Sequence, residues 1–266
     1  MSLVSIIVPY YKKKFYIEDA INSAINQTFR DIEIIIIFDD PEGDDLSFIK
    51  KISQKDERIK LIVNNRNKGA GNSRNIGILK SSGTYIAFLD ADDFWSNDKI
   101  ETQLDFMYEN KSNFSHTSYK ILKNDSKVKI RKARDFNQIS DLLKSCDIGL
   151  STVMLKKELI NNECQFPNMV TKEDFVLWLK LLKSGTPING IDKVLSVWRE
   201  TDGSLSSSIN QKIKDGFIVY YKHMNFSLFK SLFYLMCLIF NYIKNQNEIV
   251  LFTISTFTHN NFEFFS

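Results

Sequence analysis

Tyr85-Ile86-Ala87-Phe88-Leu89-Asp90-Ala91-Asp92-Asp93-Phe94-Trp95 runs through five apolar or aromatic residues and then stops at three carboxylates within four positions. A short apolar run closed by a turn signal reads as a central, parallel strand. In open α/β sheets ligands gather at the carboxyl ends of such strands, so the acids stand where chemistry would stand. Carboxylates this crowded repel one another unless a proton or cation relieves them. Hard oxygen ligands suit Mg²⁺ or Mn²⁺. Asp90, Asp92 and Asp93 therefore form a candidate metal and phosphate site. The competing reading is a turn and helix start, for which Ser96-Asn97-Asp98 supplies capping residues.

Toward the N-terminus the pattern repeats. Residues 3–9 read as a first strand stopped by Pro9, residues 17–28 as a helix with one apolar stripe, and residues 32–38 as a second strand ending in Asp39-Asp40. Leu46, Ile49 and Ile52 mark another helix, residues 59–63 a third strand, residues 64–72 a polar loop and residues 73–80 a helix. Strand and helix alternating four times predict an α/β fold with a mostly parallel sheet and helices on both faces. Gly69-Ala70-Gly71-Asn72-Ser73-Arg74 imitates a dinucleotide fingerprint. It follows the third strand, however, and carries Arg at the last glycine position, which argues against a dehydrogenase.

Toward the C-terminus, residues 99–108 read as a helix. Residues 115–122 and 127–133 read as two lysine-alternating strands joined by the turn Lys123-Asn124-Asp125-Ser126, a small antiparallel region. A short helix at 141–146 and a strand at 149–155 follow. Thr171-Lys172-Glu173-Asp174 opens a helix with the stripe Phe175, Trp178, Leu179 and Leu182, ended by Gly185 and Pro187. Residues 194–198 form a last strand.

The tail from 217 to 243 is rich in Phe, Tyr, Leu and Ile, with Lys222, Lys230 and Lys244 interspersed. Its charge-free run, residues 231–243, is thirteen residues, short for a bilayer span. An interfacial helix held to an anionic inner leaflet fits that pattern, and so does a core or dimer-interface helix.

The net charge of +3 over 266 residues does not suggest a nucleic-acid partner. Cys146, Cys164 and Cys237, like His116, His223 and His259, are scattered, so any metal is expected on oxygen ligands and the compartment is expected to be reducing. The N-terminus is apolar first and basic only at Lys12-Lys13-Lys14, the reverse of a secretory signal, so a cytoplasmic location is expected.

Taken in order, these features resemble glycosyltransferase family 2, the inverting enzymes of the GT-A (Rossmann-like) fold. The matching stretches are Val4-Ser5-Ile6-Ile7-Val8-Pro9-Tyr10-Tyr11, Asp39-Asp40, Asn67-Lys68-Gly69 with Arg74-Asn75-Ile76-Gly77, and Gly83 through Asp93. They continue with Glu173-Asp174 before Trp178, then Trp198-Arg199 and Ser204-Leu205-Ser206. The resemblance implies a GT-A domain over residues 1–206, with a nucleotide-binding half at 1–95 and an acceptor-binding half at 96–206. Residues 207–266 would be a helical, membrane-associated tail.

It also implies roles. Pro9 and Tyr11 would line the base of a UDP-sugar, and Asp39 or Asp40 would accept the uracil N–H. Lys68 and Arg74 would meet phosphate charge, with Gly69 allowing close backbone approach. Asp90 would face the ribose or sugar, and Asp92 with Asp93 would hold Mn²⁺ or Mg²⁺ on the diphosphate. Asp174 would be the general base, taking the proton of an acceptor hydroxyl as it attacks from the face opposite the leaving group. Glu173, Trp178, Arg199 and Thr201 would touch phosphate or acceptor.

Two departures stand out. Thr201 occupies a position that is commonly histidine in the family, where Glu200, Asp202 or water would substitute or the metal would be held by Asp92 and the diphosphate alone. Pro41-Glu42-Gly43-Asp44-Asp45 replaces the family's Gly-Ser-Thr-Asp. The implied reaction is hexosyl transfer (glucose, galactose or an N-acetylhexosamine) to a lipid-linked saccharide of bacterial O-antigen or another surface polysaccharide, peripherally at the inner face of the cell membrane. Lipooligosaccharide core and capsule precursors are alternative acceptors. A nucleotidyltransferase and a non-catalytic sugar-binding protein are rivals from other classes.

Overall fold

Four apolar runs build the parallel half of the sheet: β1 (Val4–Tyr10), β2 (Ile32–Phe38), β3 (Ile59–Val63) and β4 (Tyr85–Phe88). In this computed structural model, which describes residues 3–123, 127–200 and 209–260, they lie in the order β3-β2-β1-β4 with every pairing parallel. Every residue of β2 is buried. Both of its faces are covered, which is why it reads as an unbroken apolar run instead of an alternating one.

Pro9 does not stop β1, contrary to the sequence expectation; it pairs in register with Ile37, and the strand runs on to Tyr10. Odd residues of β1 face β4, as the Leu89 N–H to Ile7 carbonyl bond shows, and that ladder ends at Ile7–Phe88. The N–H that Pro9 lacks would point past the ladder's end, so nothing is lost.

Alternation along β1 separates two cores. Val4, Ile6 and Val8 pack on one face with α1 (Ile17–Ile25), α2 (Leu46–Ser53) and Leu104 of α4 (Lys99–Glu109). Ile7 packs on the other face with Ile78 of α3 (Ala70–Lys80) and with Phe175, Trp178 and Leu179 of α6 (Glu173–Lys183). α3 begins three residues before the expected start because Gly69 takes φ +80 ahead of it, a conformation glycine adopts without steric cost. It also lies very close to the sheet. A Cβ on Gly77 would stand 2.7 Å from Ile7 Cγ2 and 2.8 Å from Ile37 Cδ1.

Beyond β4 the sheet turns antiparallel. β8 (Met154–Lys156) pairs with β4, and β6 (Phe114–Lys123) pairs with β8. β6 also holds β7 (Lys127–Arg131) in the expected hairpin pairing and lies parallel to β9 (Asn189–Glu200). The expected strand at 149–155 is instead a 3₁₀ turn, Leu150–Thr152, followed by the three residues of β8. The expected helix at 141–146 is the shorter, earlier α5 (Ile139–Leu142). β9 is longer than expected because β6 supplies a partner along almost its whole length. Its far end pairs with a two-residue strand directly after the acids, β5 (Phe94–Trp95).

The C-terminal segment forms α7 (Ile209–Ile218), a π-helical turn at Val219–His223 and α8 (Leu228–Asn260). Val219, Tyr220, Leu235 and Leu238 join the core beneath α6. On the opposite side of α8, Phe229, Phe233, Met236 and Phe240 are 84%, 56%, 65% and 69% exposed. The described part of α8 is thus apolar toward the core and also toward solvent. Among the described residues no helix is long and apolar enough to cross a membrane.

Candidate active site

Parallel strands place their carboxyl ends along one edge, and the chemistry-bearing residues collect there. β1 exits into Tyr11 and three lysines, β2 into Asp39-Asp40, and β4 into the acid turn. The turn closes when the Asp93 N–H donates to the Asp90 carbonyl at 3.0 Å. Ser151, from the 3₁₀ turn before β8, holds it: its hydroxyl donates to the Asp93 carboxylate and accepts the Asp90 N–H at 3.1 Å. The Ser151 carbonyl accepts the Trp95 indole N–H at 2.7 Å.

Arg199, at the end of β9, ties the turn from the other side. Its backbone N–H donates to Asp93 Oδ1 at 3.1 Å and its guanidinium pairs with Asp19 at 2.8 Å, lying over the Phe94 ring at 4.5 Å.

The deepest connection runs through Arg74 on α3. Its guanidinium is buried and bridges two carboxylates from distant parts of the chain, donating from Nη2 to Asp90 Oδ1 at 2.7 Å and from Nη1 to Glu173 Oε1 at 2.6 Å. A planar fork suits such a bridge, which a lysine could not make. Arg74 Nε is buried with no hydrogen-bond partner among the described residues. Next to Glu173, Asp174 is half-buried and accepts the Phe175 N–H at 2.7 Å. Burial, with the neighbouring Glu173 charge added, pushes its carboxyl up to about 7. That is the range a general base needs near neutral pH.

The remaining sequence-predicted residues divide into two groups. Pro9 is half-buried and Tyr11 is 40% exposed at the exit of β1, available to a ligand. Asp39 is buried and accepts three donors of its own chain: Asn64 Nδ2 at 2.7 Å, the Lys68 N–H at 2.8 Å and the Gly69 N–H at 2.8 Å. It thereby anchors the loop that carries Lys68 and Gly69. Asp40, also buried, has its carboxyl raised, first by burial and then by the charges of Asp45, Glu42 and Asp39.

Asp93, expected beside Asp92 at the metal, is 2% exposed, and its two oxygens accept from Ser151 and the Arg199 N–H. Burial and the repulsion of Asp90 and Asp92 raise its carboxyl well above the ordinary range, and its contacts with Ser151 and the Arg199 N–H hold the turn. Trp178 was expected to touch phosphate or acceptor; it is fully buried among Phe88, Phe114 and Phe166, as helical spacing with Phe175 and Leu182 on one apolar face requires. Thr201 and Ser204-Leu205-Ser206 lie outside the described residues.

A divalent cation fits a narrower set than the sequence suggested. Among the described residues no cluster of three His, Cys, Asp or Glu side chains could hold one. Asp92 Oδ2 does already face a cation, the Lys13 ammonium at 2.8 Å. One or two carboxylates completed by substrate phosphates and water are the usual donor set for Mg²⁺ at a phosphate site, and Asp92, with Asp90 beside it, meets that description. Lys13 and Ser151, like Asp19 and Asn64, are site residues that the sequence alone does not single out. Lysine in a basic run and serine after a glycine and leucine carry no local signal of either contact.

The solved structures show which class this architecture belongs to. S. aureus TarS, residues 1–349 in complex with UDP-GlcNAc, superposes with a TM-score of 0.69 at 20% identity, covering 86% of this chain and 68% of that one, so the fold is that of the GT-A glycosyltransferases. The profile described as Glycosyl transferase family 2 matches residues 5–160, and the chain belongs to that family: it is a glycosyltransferase. The E. coli protein named UDP-Glc:alpha-D-GlcNAc-diphosphoundecaprenol beta-1,3-glucosyltransferase WfgD is 38% identical over 214 residues, 80% of this chain and 83% of its own. TuaG of Bacillus subtilis (strain 168), a glycosyltransferase provisionally assigned to teichuronic acid biosynthesis, is 36% identical over 220 residues, 82% of this chain and 87% of its own.

Proposed function

We propose that the enzyme moves a hexose, glucose first among the candidates, from a UDP-sugar onto a lipid-linked saccharide with inversion at the anomeric carbon, in bacterial surface-polysaccharide assembly. The observation that carries this reading is the Asp90–Arg74–Glu173 bridge. It ties the acid-bearing end of β4 to the first turn of α6, where Asp174 follows Glu173, although 83 residues lie between Asp90 and Asp174.

A sugar hydroxyl is a poor nucleophile until its proton is taken, and Asp174 Oδ takes it as the oxygen attacks. Attack from the side opposite the leaving diphosphate gives inversion. A divalent cation on Asp92, when bound, would neutralise charge developing on the departing nucleoside diphosphate. Tyr11 and Pro9 would hold the base, Asp39 or Asp40 the uracil N–H, and the Lys68-Gly69 loop the phosphates. The names of WfgD and TarS's ligand support uridine and a GlcNAc-diphospholipid acceptor. The outward apolar face of α8 would rest on the inner membrane leaflet, where such an acceptor is presented.

The test is a panel of UDP-sugars with Mn²⁺ and a GlcNAc-diphospholipid acceptor, read by mass spectrometry. Lipooligosaccharide core and capsule precursors serve as further acceptors, and product configuration is read by NMR. One UDP-hexose should be consumed, UDP released and a β-linked product formed from the α-linked donor. A product with retained configuration would remove Asp174 as the base, and pyrophosphate release from UTP and a sugar phosphate would replace the assignment by a nucleotidyltransferase.

A further inference from the structure

Asp92 shares its carboxylate with a residue that the reaction described above does not use. Lys13 Nζ lies 2.8 Å from Asp92 Oδ2, and the two side chains are 21% and 14% exposed. Lys13 belongs to the loop between β1 and α1, not to the acid-bearing strand. Because β1 and β4 are adjacent and parallel, their exits stand side by side, and the lysine spans the gap between them.

The loop's backbone is held where it leads into α1. Lys12 takes a left-handed conformation (φ +51), and the Lys13 carbonyl accepts the N–H groups of Tyr16 and Ile17 at 3.0 Å each, starting α1. The neighbouring lysines point elsewhere: Lys12 Nζ lies 5.1 Å from the Tyr11 ring, and Lys14 pairs with Asp45 at 3.0 Å.

We infer that Lys13 is a stand-in cation that changes partner when donor binds. Without donor it occupies the Asp92 carboxylate and offsets the repulsion among Asp90, Asp92 and Asp93; when a divalent cation arrives with the nucleotide, Lys13 yields Asp92 and pairs with the diphosphate. The inference rests on the metal reading given above. An ammonium in contact with Asp92 Oδ2 and a divalent cation bound there would repel each other strongly, so only one can hold the oxygen. A displaced lysine needs another anion within reach of its flexible four-carbon stem, and a diphosphate bridged to Asp92 by the metal supplies one. Lysine suits this exchange because it acts as a movable point charge and requires no fixed bidentate geometry.

The experiment uses the full-length protein, with Lys13→Met beside Lys12→Met as a control that removes the same charge from the same loop without touching Asp92. Mn²⁺ binding is titrated by electron paramagnetic resonance without nucleotide, and UDP binding by calorimetry at saturating Mn²⁺. Thermal melting of all three proteins confirms that they fold alike. Lys13→Met should bind Mn²⁺ about fivefold more tightly than the wild type in the absence of nucleotide, the factor that a partly exposed ion pair of about 1 kcal/mol represents. It should bind UDP about fivefold more weakly in Mn²⁺. Lys12→Met should change Mn²⁺ affinity by less than twofold.

Equal Mn²⁺ affinity in Lys13→Met and wild type would overturn the inference, as would an equal gain in Lys12→Met. Those results, with Mn²⁺ still taken up in the presence of UDP, would leave the metal reading standing. If neither protein took up Mn²⁺ even with UDP, the metal reading would fall and this inference with it.

Discussion

Asp174→Asn should make the protein more stable at alkaline pH while abolishing its reaction. Burial raises the Asp174 carboxyl from 3.8 to about 7 in the folded state. The folded protein therefore holds a proton that the unfolded chain has released throughout the interval between those values, and stability falls as pH rises through it. The full shift corresponds to about 4 kcal/mol. Asp174 is only half-buried, and solvent screening reduces this to about 2 kcal/mol.

Asparagine removes the charge yet keeps an oxygen for the Phe175 N–H. Urea unfolding at pH 5 and pH 8 is the assay. Much of the wild-type Asp174 is still protonated at pH 5 in the folded state, so the two proteins should lie closer together there, and at pH 8 the variant should be ahead by about 2 kcal/mol. Transfer should drop by a factor of about 10² to 10⁴, the contribution of a positioned base, with UDP binding retained. In the wild type, kcat/KM should rise with pH and level off above about 7. A variant no more stable than wild type at pH 8, or a difference equal at both pH values, would refute the claim that Asp174 is held in the fold at the cost of stability.

Arg74→Met would leave Asp90 and Glu173 facing each other with no counter-charge, and denaturation should show a loss of about 3–5 kcal/mol, the cost of breaking a buried ion pair from one side. Gly77→Ala drives a methyl group into Ile7 and Ile37; a loss of about 1–3 kcal/mol is expected, with UDP affinity little changed. Asp92→Ala should abolish transfer and its dependence on added Mn²⁺ together, and equal turnover in a chelator would contradict the metal role. Replacing Phe229, Phe233, Met236 and Phe240 by Ser should move the protein from the membrane to the soluble fraction without lowering its melting temperature, because these side chains face away from the core; unchanged fractionation would assign that face to another partner.

Much of the parallel half is legible in the chain. Residues 32–38 and 59–63 are strands at the expected bounds because an apolar run closed by Gly, Pro, Asn or Asp states both its burial and its end locally. The same holds for the acids after β4, whose crowding marks a special site wherever they fall. Where the local pattern was thin, as at residues 149–155, the pairing partners β4 and β6 decided which three residues became strand.

Which acid does what was a matter for the tertiary structure. Asp90, Asp92 and Asp93 are alike in sequence, yet one meets a buried arginine, one a lysine from the first loop, and one a serine and a backbone N–H from the far half of the sheet. Trp178 follows a helix-opening pair of acids, and its helical spacing with Phe175 and Leu182 turns it into the core while Asp174 stays half-buried. These contacts join residues between 58 and 106 positions apart in the pairs Ser151–Asp93, Lys13–Asp92, Arg74–Glu173 and Arg199–Asp93. Periodicity and turn chemistry report only on neighbours a few residues away, so secondary structure could be read along the chain, whereas charge pairing waited for the strands to bring their ends to one edge.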